Sequence, residues 1–157
     1  MIPDPLHPVV VHLPIALAVL LPLFSIAALL AIWRGAKPRS SWVVVVALQL
    51  LLSIGAWAAE ETGERDEEFY EKGAVHEVLE KHEELAEVFI AIAYGASALA
   101  VLGLMSNKIG KICRGVYLFA AIGLLVVGGM VGHRGGKLIY PDGAKATAER
   151  LSELHDG

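Results

Sequence analysis

Cysteine is almost missing: Cys113 is the only one in 157 residues. That excludes an internal disulfide, a Cys-pair metal site and the C-x-x-C-H attachment of covalent haem. There is no Walker-type loop, dinucleotide fingerprint, H-E-x-x-H or G-x-S-x-G, so no catalytic residue is assigned and a hydrolase site is not indicated. Basic patches suited to nucleic acid are also missing, and the net charge is only −4. Met1-Ile2-Pro3-Asp4-Pro5 lacks the basic start of a cleavable signal, so the first apolar block is read as retained.

What is present is apolar sequence in blocks. Hydrophobic residues make up 55% of the chain and gather at about 9–33, 42–59, 85–105 and 116–132. Each block approaches the roughly 20 residues that cross a bilayer core as a helix. None carries a charged face at helical period, as a soluble bundle would, and lipid leaves a helix as the way to satisfy the backbone. The expected fold is an all-α membrane protein, one domain over residues 1–157, built as a bundle of four transmembrane helices.

The loops give the direction. Arg34, Lys37 and Arg39 lie in the first connection, and Lys108, Lys111 and Arg114 in the third, with no acid in either. The second connection is acidic, beginning Glu60, Glu61, Glu64, Asp66, Glu67, Glu68 and Glu71. By the positive-inside rule the first and third connections are cytoplasmic, and both termini lie outside the cell (inner) membrane. Trp33 and Trp42 are expected at the cytoplasmic boundary and Trp57 near the outer one, as interfacial aromatics. Val75 to Glu87 reads as a helical extension of the third span. Gly135-Gly136 and Pro141-Asp142-Gly143 are turn signals, with a short polar helix expected near Ala144 to Leu154.

On this topology five of the six histidines return to one outer layer: His7, His12, His76, His82 and His133. His155 is read as a solvated tail residue. An ionisable group at or within a span is a functional candidate by default. Neutral imidazole is the commonest metal ligand, facing bundle helices build such sites, and haem iron is often held by axial histidines. His12, His82 and His133 approach the apolar zone, whereas His7 and His76 are also readable as interfacial residues. Gly128, Gly129 and Gly132 thin the fourth helix before His133. Gly129, one turn away on the same face, would open a slot beside that imidazole. Gly128 and Gly132 equally form a G-x-x-x-G pair, which lets helices approach closely. Glu60 or Glu61 could accept a hydrogen bond from a ligand histidine. Arg134 and Lys137 could pair with haem propionates or with lipid phosphates. Cys113, at the cytoplasmic end, is read as inert.

Two segments resemble a known family. His7-Pro8-Val9-Val10-Val11-His12-Leu13-Pro14-Ile15 is similar to the H-P-x-x-V-H-F-P-I opening of the DUF2231 family of predicted membrane proteins. Gly132-His133-Arg134-Gly135-Gly136-Lys137-Leu138-Ile139-Tyr140-Pro141-Asp142-Gly143 is similar to that family's H-x-G-G-x-L-V-Y-x-x-G ending. Glu80-Lys81-His82-Glu83-Glu84 fits the histidine expected at the third helix. Leu13 stands for the usual aromatic and Ile139 for valine. The resemblance spans almost the whole chain and implies the ligand set His7, His12, His82 and His133. Related domains are sometimes joined to cytochrome c domains, which implies a redox role.

The leading expectation is a b-type membrane cytochrome with one or two haems b held by paired histidines. It would transfer electrons at the outer face between quinol and a cytochrome c type protein, either as a single chain or as a homo-oligomer in the bilayer. A second expectation is a copper or zinc site on the same histidines. A third is an accessory subunit without cofactor. The pairing of the four imidazoles is left open, except that His7 and His12 stand about 140° apart on a helix and cannot oppose one another across one haem.

Overall fold

A computed structural model describes the backbone of residues 7–66 and 76–139, with side chains within 7–65 and 80–136. All regular structure among these residues is helical: α1 (His7–Val10), α2 (His12–Trp33), α3 (Pro38–Asp66), α4 (His76–Leu102) and α5 (Lys108–Ile139). Four helices, with α1 and α2 running on as one, are long and apolar enough to cross a membrane. The expected helix after Pro141, and the remaining acids of the second connection, lie outside the described residues.

The break between α1 and α2 follows from Pro14. Having no N–H, Pro14 cannot bond the Val10 carbonyl, and the helix is interrupted at Val11. Helical bonds on either side, Val11 N–H to His7 O at 3.1 Å and Ile15 N–H to Val11 O at 3.3 Å, keep the two pieces in line. At the other end of α2, Gly35 takes φ +98°. Its N–H bonds Ile32 O and that of Ala36 bonds Ala31 O, the left-handed cap that glycine favours, and Pro38 then opens α3. Between α4 and α5, the Asn107 Oδ1 accepts the Gly110 N–H at 3.1 Å, an N-cap bond.

Short connections make neighbours antiparallel, and each helix packs on its chain neighbours, with α5 closing the ring against α2. The outside carries Leu23, Ile54 and Phe119, as lipid requires. The inside holds alanines, a few large residues and a polar layer. In that layer the Tyr117 hydroxyl donates to Gln49 Oε1 at 2.8 Å. Gln49 Nε2 donates to Ala93 O at 3.0 Å, and Ser53 and Ser97 share a bond of 2.8 Å. Such interhelical bonds contribute about 0.6 kcal/mol each in lipid, and together they hold α3, α4 and α5 in register.

Four expectations change. The helix limits depart from those of the apolar blocks: α3 runs from Pro38 to Asp66, α4 ends at Leu102, short of its block's end, and α5 begins early, at Lys108. Backbone bonding does not end where hydropathy does, and caps set these limits instead. Trp42 is not an interfacial aromatic but is fully buried, donating from Nε1 to Ala100 O at 3.0 Å with its ring edge-on to Tyr117. Arg114 is not a solvated loop charge. It is buried and caps α4 through the Gly103 and Met105 carbonyls. Gly135-Gly136 does not turn the chain, because α5 runs through both.

Candidate functional site

The acidic ends of α3 and α4 meet α1 and the end of α5, and this is where two histidines come together. His7 opens α1. Its Nδ1 lies 2.7 Å from the Ala59 carbonyl, which can only accept, so Nδ1 carries a proton and donates it. The ring lies against Gly63 of α3, where a Cβ would stand 3.2 Å from Nδ1. His82 faces it from α4, with ring centres 6.2 Å apart and planes at 89°. Here too a glycine makes the room: a Cβ on Gly135 of α5 would be 3.2 Å from His82 Cε1. Each imidazole therefore rests on a bare backbone position of another helix.

His82 hydrogen-bonds the Val131 backbone, while its Nδ1 is out of solvent's reach and has no hydrogen-bond partner among the described residues. A buried acceptor left alone costs about 1–3 kcal/mol, so this nitrogen is the group most in need of an explanation. A half-open pocket of about 70 Å³ lies between these helices. His7, Glu60 and His82 line it, and the remaining wall is apolar, including Pro14, Ile15 and Phe89. Arg134 is half-buried and close enough for its charge to act on the His82 ring.

The other expected site residues are placed differently. The side chains of His12 and His133 are exposed. Gly129 shares the face of His133, as the spacing demands, but that face turns out of the bundle, and a Cβ there would meet nothing within 4 Å. Gly128 and Gly132 serve close packing, against Phe89 and Ala18 and against Ile15 respectively. His76 begins α4, though its side chain, like that of Lys137, lies outside the described residues, as does all of His155. Cys113 is buried at the basic end. Among the described residues no group of three or more His, Cys, Asp or Glu side chains is disposed to hold a metal ion.

Sequence reasoning missed Gly63 and read Gly135 as a turn, although these two positions admit the imidazoles, and it missed the Ala59 carbonyl that orients one of them. It also passed over Gln49, Ser53, Ser97 and Tyr117. A signal for these existed, since a glutamine and serines inside an apolar block need partners.

A family model described as a predicted membrane protein, DUF2231, matches residues 3–148. No curated protein and no solved structure matches the chain.

Proposed function

The chain belongs to the DUF2231 family of predicted membrane proteins, and on that footing we propose that it holds a transition-metal ion between His7 and His82. The acidic end that carries the pair is the non-cytoplasmic one, on the loop charges. The observation that carries this reading is the buried, unpartnered Nδ1 of His82, on a side chain that lines one pocket together with His7.

The ring separation supports a particular coordination. Two imidazoles opposed across one ion, with metal–nitrogen bonds of about 2.0–2.1 Å, have ring centres about 6.3 Å apart. Those of His7 and His82 are 6.2 Å apart. Zinc prefers a tetrahedral set of four ligands, whereas two opposed nitrogens suit copper in its reduced state, and imidazole is a favoured copper ligand. Ala59 orients His7 in the way outer partners orient ligand histidines. Bound copper supplies one-electron chemistry, consistent with a redox role alongside quinol or a cytochrome c type protein.

Haem iron takes the same opposed pair of imidazoles, and Arg134 beside His82 would suit a propionate. The cavity goes against it. At about 70 Å³ the pocket is smaller than the roughly 150 Å³ that admits benzene, which favours a single ion over a porphyrin.

Protein purified in detergent from cells supplied with both copper and haem decides between them. After washing with EDTA to strip loosely held metal, about one copper per chain by elemental analysis, no Soret band, and loss of that copper on His82→Gln are expected. A Soret band removed by the same substitution would put haem there instead. Protein carrying neither, and unable to take up Cu(I), would overturn the assignment of a metal site.

A further inference from the structure

The seam between α2 and α5 has a second histidine pair on its outward side. At Gly132 a Cβ would lie 3.7 Å from Ile15 Cδ1, and at Gly128 it would lie 3.7 Å from the Ala18 Cβ. The helices are therefore antiparallel, with Ile15 level with Gly132 and Ala18 level with Gly128. His12 lies three residues before Ile15, about 4.5 Å nearer the acidic end, and His133 one residue after Gly132, about 1.5 Å nearer the same end. The two imidazoles are rooted within about 3 Å of one level.

Their directions agree as well. At 100° per residue His12 is about 60° round from Ile15, and His133 about 100° round from Gly132. In antiparallel right-handed helices both rotations lead to the same side of the seam. Both side chains are exposed there. On the opposite side, Val11 and Val131 line the pocket that His7 and His82 share. The four histidines thus fall into two pairs separated by one helix seam, His7 with His82 inside and His12 with His133 outside.

The bare positions Gly129 and Gly136, where a Cβ would meet nothing within 4 Å, leave the His133 ring room to swing. Elsewhere the exposed positions of α2 are mostly aliphatic, among them Leu13, Val19, Leu20 and Leu23, so the imidazole stands at the end of an apolar outer face.

We infer that His12 and His133 form a second metal site, open to the outside, for a divalent transition ion of imidazole preference. Two protein nitrogens leave coordination positions for water, so the ion exchanges readily. This site does not depend on the occupancy of the internal pair.

The test is Cu(II) titration of the protein in lipid nanodiscs, followed by electron paramagnetic resonance. Cu(I) is silent to that method, so copper held inside in its reduced state does not interfere. The expected spectrum shows one Cu(II) coupled to two imidazole nitrogens. His12→Gln and His133→Gln should each weaken its binding at least tenfold and remove the two-nitrogen pattern, with no further loss in the double variant. His82→Gln should leave it intact. Unchanged binding in both single variants overturns the inference, as does additive loss from two independent one-nitrogen sites. Loss in His82→Gln alone also overturns it, while leaving the internal site standing. Conversely, an internal site that fails its own test leaves this Cu(II) signal as expected. Size-exclusion profiles of the variants confirm that these exposed substitutions leave the fold whole.

Discussion

Gly135 and His82 belong to different helices, yet the imidazole of one occupies the space that a side chain on the other would need. A Cβ at Gly135 would stand 3.2 Å from His82 Cε1, tighter than an ordinary contact. Gly129, six residues earlier on the same helix, opens onto nothing within 4 Å.

The two glycines should therefore respond oppositely to alanine. Gly135→Ala displaces the His82 ring and should cost about 1–3 kcal/mol, as overpacking does, with copper content falling in step. Gly129→Ala should be neutral or slightly stabilising, since alanine is favoured over glycine in a helix by about 0.8–1 kcal/mol. Thermal unfolding in detergent and metal analysis of the two variants side by side check the pair.

The polar layer separates stability from the metal site. Gln49→Leu leaves the buried Tyr117 hydroxyl without its 2.8 Å partner and removes the bond to Ala93. A loss of about 1–3 kcal/mol is expected. Copper content should stay at the level of the unmodified protein, because the layer lies deeper in the bundle than His7 and His82. Unfolding curves and elemental analysis on one preparation give both readings.

Arg114 and the loop cations make separate contributions. Arg114→Met orphans the Gly103 and Met105 carbonyls and should destabilise by about 1.5–3 kcal/mol, the range for bonds to a charged group. Orientation should not change. Replacing Arg34, Lys37 and Arg39 with serine should instead scramble orientation, since that loop's positive charge sets it. A reporter fused to the C-terminus, active on one side of the membrane only, distinguishes the two outcomes.

Gly110 is fixed by the turn before it. A Cβ there would run into the Met105 carbonyl, which is backbone and cannot step aside. Gly110→Ala should therefore reduce folded yield in the membrane more than Gly123→Ala, where a Cβ would meet nothing within 4 Å. Fluorescence-detected size exclusion of the two variants measures this.

Much of the bundle was legible because lipid imposes a length and a composition on each crossing, and the four apolar blocks met both. The shared level of His7 and His82 was legible too, since counting helical passes fixes which end a residue reaches. Direction round the helix was not. His82 and His133 reach the same end, but whether an imidazole points inward depends on how its helix packs, which sequence spacing leaves undetermined. The same gap explains why Gly129 stood out beside His133 although Gly63 and Gly135 are the residues that admit imidazoles. Trp42 was misread for a related reason. An aromatic at the edge of an apolar block suits an interface, but this one has a carbonyl, that of Ala100, to satisfy its N–H inside the bundle.

The interruption at Val11 gives the two internal histidines unequal footing. His82 is set into a helix that crosses the bundle, and shifting it means shifting a membrane crossing. His7 rides on the single turn of α1, with its Nδ1 on the Ala59 carbonyl of α3, so the spacing between the rings can be retuned from the His7 side while the four long helices keep their places.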